Sequence, residues 1–274
     1  MTELDFATQE LEQHIRTILE RLPSEGYPSD EEGDLTNLSL YYRLRAIAGY
    51  LATGDTGPYV ADLHRSGQAR LYYLQGCAAG LTGTPRFHRT SRNRAFFDCL
   101  AINDLETAEV LSERCDDRYV EALEYEDDFL FVQWLQVYYL AHRGRRSPEA
   151  PVQVLARFQA VINDEDSPFF SLCQALQERN ARAVEDALRQ VVERRAANYT
   201  RMAELGDLPA VVLQTERFID VQVVAIVRLA ALAKLPLSPG LLPRVTDELC
   251  AVAGARHTYP PANSWRHGSR GTST

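Results

Sequence analysis

The chain has 274 residues, of which 45% are hydrophobic and 24% are charged, as in a globular protein with a sizeable core. Its 38 acidic and 29 basic residues give a net charge of -9 and a pI near 5.2. Nucleic acids and anionic membranes attract positively charged proteins, so we expect neither of them as a partner.

The cysteines and the N-terminus bear on the cellular compartment. The five cysteines are odd in number and never form a C-x-x-C pair, so neither a disulfide framework nor a zinc site is indicated. The first residues lack the basic and apolar regions of a signal peptide, and no run approaches the roughly 18 apolar residues of a membrane span. These features predict a cytoplasmic protein.

Apolar residues at helical spacing predict three helices in the first part of the chain. The first helix ends at Pro23, and either Asp34 or Thr36 can cap the second helix. The three helices are predicted at residues 6–22, 38–51 and 59–81.

The middle of the chain contains a loop and two patterns typical of helical hairpins. Residues 83–91 combine turn formers with positive charge and predict an exposed loop. A helix at 94–101 follows, and the pair Asn103 and Asp104 is a good N-cap signal for the next helix. A comparable pattern recurs at 169–192, and both pairs resemble the hairpins of an α-solenoid.

Four further helices are predicted in the second half. Residues 209–235 form the most apolar one, with Pro209 in its first turn, and we expect it near the centre of the fold. The other three cover residues 127–141, 152–162 and 242–252.

The fold class predicted is therefore all-α, with helical hairpins packed as a bundle or short α-solenoid around a central apolar helix. Residues 1–253 should form a single domain, with a possible subdivision near 83–92. Residues 254–274 lack apolar periodicity and predict a flexible C-terminal tail, unless Tyr259 and Trp265 dock it.

The motifs of several enzyme classes are missing from the sequence. It contains no G-x-S-x-G elbow, no P-loop and no G-x-G-x-x-G, and its six histidines never occur at i, i+4 spacing. We therefore expect no catalytic residue, no cofactor site and no metal site.

Charge is concentrated in two stretches. Residues 104–128 carry 11 acidic and 2 basic side chains, whereas residues 63–97 carry six arginines and no acid. Favourable interaction with a helix N-terminus accounts for Asp127 and Asp128, although paired carboxylates also suit a metal or acid–base chemistry. The aromatic stretch 129–139 suits a buried scaffold helix better than a platform for stacking bases.

Several motifs in this part of the chain resemble the immunity protein 49 family of bacterial polymorphic-toxin systems. They are RAFF at 94–97, DLETA at 104–108, EYEDDFLF at 124–131 and the hairpin at 169–192. The resemblance covers about two thirds of the chain, and related all-helical immunity families share its acidic and aromatic motifs.

The resemblance implies a protein that binds and neutralises a cognate toxin by occluding the toxin's active site, without chemistry of its own. A toxin with a basic surface would suit the acidic stretch. The candidate toxin-binding residues are Asp116, Asp117, Glu121, Glu124, Glu126, Asp127 and Asp128.

Two other functions remain open at this point. One is an α-helical repeat adaptor, whose concave surface binds partner proteins without any toxin. The other is an all-α, metal-dependent enzyme that uses the carboxylate cluster.

Overall fold

The computed structural model describes residues 3–23, 26–27, 33–81, 83–163, 166–261 and 264–266. Within these ranges the chain forms twelve α-helices and no β-strand, which confirms the all-α prediction. None of the described helices is long and apolar enough to cross a membrane. The helices are α1 (Glu3–Arg21), α2 (Asp34–Thr53), α3 (Thr56–Ala78), α4 (Arg94–Ala101), α5 (Leu105–Glu113), α6 (Glu126–His142), α7 (Ala150–Ile162), α8 (Pro168–Gln177), α9 (Ala181–Leu205), α10 (Ala210–Thr215), α11 (Val221–Leu232) and α12 (Arg244–Gly254).

The three helices predicted in the first part of the chain are present as α1, α2 and α3, but the N-cap of α2 differs from the prediction. Its N-cap is Gly33, in the left-handed region with φ of 75°, and neither Asp34 nor Thr36 caps the helix. A Cβ atom at this glycine would lie 2.5 Å from the ring of Phe87, so a side chain would clash there. Asp34 lies instead in the first turn of α2, 3.0 Å from Arg21 of α1.

The centre of the fold is the contact between α4 and α11. Seven of the eight residues of α4 are buried, and this short helix packs against α3, α5, α11 and α12. The buried residues of α11 are Val221, Val223, Val224, Ala225, Ile226, Leu229 and Ala230.

The prediction of one continuous helix over 209–235 is wrong. The chain forms α10 and α11, because the carboxylate of Asp220 accepts the N–H groups of Gln222 and Val223, at 3.0 and 3.2 Å, and so caps a new helix. Phe218 lies in the connection between the two helices and is 57% exposed.

The hairpin predicted at 169–192 is present as α8 and α9. The side chain of Ser167 caps α8 and that of Asn180 caps α9, and the two helices pack along each other. Helix α6 buries Trp134, Leu135 and Tyr138, which confirms the aromatic stretch as a core helix.

Residues 83–91 are not the fully exposed loop that was predicted. They form two short 3-10 turns, Pro85–His88 and Thr90–Arg92, and both Arg89 and Thr90 are buried. The cause is a contact with a distant segment, since these two side chains bind the carboxylate and the backbone oxygen of Asp116.

The tail prediction allowed for docking by Tyr259 and Trp265, and the structure shows both contacts. Tyr259 stacks on His64 and donates a hydrogen bond of 2.7 Å to the carbonyl of Ile102. Trp265 is buried in a small core of α1, α2 and α3, where its carbonyl accepts the hydroxyl of Tyr42. Residues 262–263 and 267–274 of that tail lie outside the described residues.

Two helical glycines give a matched test of this packing. A Cβ atom at Gly67 of α3 would lie 2.3 Å from the sulfur of the buried Cys99, whereas one at Gly49 of α2 would meet nothing within 4 Å. We expect Gly67→Ala to lower the free energy of unfolding by about 1–2 kcal/mol, because overpacking outweighs the better helix propensity of alanine. Gly49→Ala should raise it by roughly 0.5–1 kcal/mol.

Urea unfolding followed by circular dichroism measures both changes. If Gly67→Ala stabilised the protein as much as Gly49→Ala, the close approach of α3 and α4 would be wrong.

Candidate functional site

A cleft with two adjoining chambers opens between the N-terminal hairpins and the helices of the second half. We name the first one the arginine chamber. It has a volume of about 640 Å³ and is lined by parts of α2, α4, α9 and α10. Its six arginines are Arg43, Arg70, Arg92, Arg94, Arg194 and Arg195, and its four carboxylates are Asp98, Asp128, Glu216 and Asp220.

The second chamber, which we name the acidic chamber, has a volume of about 920 Å³. The segment before α6 and the first turn of α6 line it, opposite the turns that precede α4. Its carboxylates are Glu121, Glu124, Glu126, Asp127 and Asp128, and it shares Arg92, Arg94, Asp128, Phe169 and Gln222 with the arginine chamber.

A buried ion network borders the arginine chamber. The guanidinium of Arg43 lies 3.1 Å from the carboxylate of Asp98 and 3.6 Å from that of Glu216. The hydroxyl of Ser66 donates a hydrogen bond of 2.6 Å to Asp98. All three charged side chains are at most 6% exposed, so each charge needs the others to offset its lost hydration.

Glu216, at the break between α10 and α11, forms further polar contacts. Arg94 lies 3.5 Å from its carboxylate, and the hydroxyl of Tyr199 donates to it at 2.9 Å. Arg195 binds the carbonyl of Glu216 at 3.1 Å and the carboxylate of Asp220 at 3.0 Å. The two acids that bracket the break are thus held by one arginine of α9.

The two carboxylates that share Arg43 have opposite pKa shifts. Burial raises the pKa of Asp98 to about 6, against the effect of Arg43 and Ser66. Burial also acts to raise the pKa of Glu216, but Arg94, Arg43 and Arg195 together hold it down at about 2. Paired acids with separated pKa values are typical of functional sites, although structural ion networks shift pKa values as well.

Two of the seven predicted residues fix the acidic segment in place. The carboxylate of Asp116 lies 3.1 Å from Arg89, outside the lining of the acidic chamber. Glu124 accepts two hydrogen bonds from Ser91, one from the backbone N–H at 3.2 Å and one from the hydroxyl at 2.6 Å. These contacts hold the segment against the turns before α4.

The other five predicted residues lie nearer to solvent. Glu126 is paired with Arg157 of α7 at 2.5 Å. The remaining four are exposed and form no ion pair with any residue that the structure describes: Asp117, Glu121, Asp127 and Asp128. Partial desolvation and the neighbouring Asp127 raise the pKa of Asp128.

No described group of three or more His, Cys, Asp or Glu side chains is arranged to hold a metal ion. The carboxylates of the acidic chamber are spread along its wall, and two of them already bind Ser91 and Arg157.

The arginine chamber was not predicted, although the acid-free stretch 63–97 gave a partial signal. Three arginines of that stretch serve inside the fold: Arg65 pairs with Asp62, Arg70 donates to the carbonyl of Phe87, and Arg89 pairs with Asp116. Arg86, Arg92 and Arg94 line the chambers, and Arg70 also borders the arginine chamber.

The lowered pKa of Glu216 predicts that the free energy of unfolding depends on pH. Its contribution to stability is complete above the unfolded-state pKa of 4.5 and is lost as the pH falls through the folded-state pKa of about 2. We expect Glu216→Gln to lower the free energy of unfolding by about 3 kcal/mol at neutral pH, because three arginines lose their shared anion. The difference in free energy of unfolding between this variant and the unmodified protein should disappear as the pH falls from about 4.5 to 2.

Urea titrations at a series of pH values measure this gap. Asp186→Asn is the matched control, since Asp186 pairs with Arg189 at the surface, where the loss should stay below about 1 kcal/mol. Equal effects of the two substitutions at neutral pH would contradict the buried network.

Comparisons with known proteins find no matching family model, no matching curated protein and no matching solved structure.

Proposed function

We propose that the protein is an immunity protein that binds a cognate toxin through the wall of the acidic chamber and blocks the toxin's active site. The observation that carries this proposal is an exposed aromatic side chain among unpaired carboxylates. Tyr125 is 78% exposed and lies directly before the acidic first turn of α6.

An exposed tyrosine of this kind suits the centre of a protein interface. Tyrosine provides a large contact area and a hydroxyl while losing little conformational entropy, and it is enriched among residues that dominate binding energy. The surrounding carboxylates supply charge, because Glu121 and Asp127 line the chamber on either side of Tyr125 in the sequence and have no described ionic partner.

This charge favours a toxin with a basic surface. Complementary charges at the edge of an interface accelerate association and select against acidic partners more than they raise affinity. A toxin whose substrate is an anion needs a basic cleft, and an acidic wall inserted there would displace that substrate.

The acidic segment is also held in one conformation before binding. Asp116 and Glu124 anchor it to Arg89 and Ser91, while Phe129 and Leu130 of α6 are fully buried behind it. A surface that is already ordered loses less entropy on association, so such a surface binds more tightly for the same contacts.

Co-expression with the adjacent open reading frame tests the function itself, since the proposal requires that frame to encode the toxin. We expect cells to survive expression of that toxin when this protein is present and to die when it is absent. Survival that does not depend on this protein would refute the proposal.

Substitutions at the acidic chamber test the surface. We expect Tyr125→Ala to weaken toxin binding by about tenfold to a hundredfold, since such anchors contribute 2 kcal/mol or more. The double reversal Glu121→Arg with Asp127→Arg should mainly slow association, and its effect should shrink at high salt.

The matched control for the reversal is Glu12→Arg with Glu193→Arg, which makes the same change of net charge on exposed positions of α1 and α9. Surface plasmon resonance at two salt concentrations separates the variants. If both double reversals slowed association equally, only the net charge would matter, and the proposed surface would be wrong.

A further inference from the structure

The arginine chamber has positive charge that the fold does not neutralise. Arg43 is paired with Asp98 and Glu216, and Arg195 is paired with Asp220. Three of the four carboxylates of the chamber are therefore already in ion pairs within the protein.

Arg94 is paired with Glu216, and Arg70 donates a hydrogen bond to a backbone carbonyl. Two other arginines of the chamber have no ion pair with a described residue. Arg92 and Arg194 are exposed, and neither forms an ion pair with any residue in the described ranges. They come from different parts of the fold, since Arg92 precedes α4 and Arg194 belongs to α9. The chamber thus has unpaired guanidinium groups on two of its walls.

The surroundings of Arg92 disfavour its own charge. Partial desolvation, Arg86 and Arg94 lower the pKa of Arg92, in that order, and the nearby Asp128 and Glu124 only partly oppose them. An anion bound at this position would relieve the repulsion among the three arginines.

The rest of the lining is largely apolar. A cavity of about 640 Å³ lies within the range of pockets that hold small organic ligands, which combine an apolar lining with a few placed polar groups. The apolar side chains of the lining include Leu40, Phe169, Val191, Met202, Leu208 and Val212.

We propose that the arginine chamber binds a small organic anion, with a carboxylate or phosphate group between Arg92 and Arg194 and an apolar body against the lining of α9 and α10. Guanidinium groups bind both kinds of oxyanion through paired hydrogen bonds. The proposal does not rest on toxin binding: Arg92 also lines the acidic chamber, but the anion site is defined by the arginine chamber and is tested without any toxin.

The buried network gives this site a rigid border. Arg94 and Arg195 are oriented by Glu216 and Asp220, so they keep a fixed positive field next to the two unpaired arginines. Groups that are positioned in advance need no reorganisation when an anion arrives.

Calorimetric titration of the full chain with four probes tests the site. The probes are phenyl phosphate, benzoate, inorganic phosphate and phenol. We expect phenyl phosphate or benzoate to bind, inorganic phosphate to bind more weakly because it lacks an apolar body, and phenol not to bind. The comparison of phenyl phosphate with benzoate identifies which oxyanion the chamber prefers.

The double variant Arg92→Gln with Arg194→Gln should weaken the binding of the preferred probe by at least about tenfold for each arginine removed. Arg146→Gln with Arg182→Gln is the matched control, since both positions are exposed, lie outside the chamber and form no described ion pair. This control should bind the probe unchanged.

The stability of the two double variants provides a second measurement. Without probe, the double variant Arg92→Gln with Arg194→Gln should unfold at the same urea concentration as the unmodified protein or at a higher one. The reason is that the substitutions remove repulsion between like charges. The proposal is overturned if neither phenyl phosphate nor benzoate binds, if phenol binds as well as they do, or if both double variants bind equally.

Discussion

One buried guanidinium connects the parts of this fold that form the cleft. Arg43 belongs to α2, Asp98 to α4, and Glu216 follows α10, so their ion pairs join three segments that lie far apart in the sequence. A charge that has lost its hydration is tolerated only when its partners are held at short range, and each of the three segments is therefore fixed relative to the others. The border of the arginine chamber follows from this constraint.

Local patterns predicted the helices well, because helical periodicity and capping depend on residues a few positions apart. The helix at 94–101 and the cap at Asp104 have the boundaries expected from the sequence. The break at 216–220 is harder to find in this way, since the polar run from Gln214 to Arg217 also suits the solvent side of one long helix. Glu216 resembles any surface acid until its three arginines are known. The same limit applies to Gly33, because the ring of Phe87 that leaves no room for a side chain there lies more than fifty residues away in the sequence.

The acidic stretch contains many more acidic side chains than the number that remain unpaired at the protein surface. Residues 104–128 carry a large excess of acid in the sequence, yet tertiary contacts remove much of it. Glu109 is paired with both Arg143 and Arg145, and other acids of the stretch bind partners such as His64 and Arg157. Which carboxylates stay available to a partner is decided by arginines elsewhere in the chain, so the candidate residues were predicted as a group and distinguished only by the fold.

The docking of Trp265 has a consequence for the order in which the protein is completed. The bond from Tyr42 to the carbonyl of Trp265 spans 223 positions of the chain, and the tryptophan fills a core formed by the first three helices. During synthesis these helices leave the ribosome long before the residue that covers their shared apolar surface. A contact between residues so far apart in the sequence has a large entropic cost of loop closure, so it forms later than the local contacts within helices. The small core of the three N-terminal helices is therefore incomplete until residue 265 has been synthesised and can reach Tyr42.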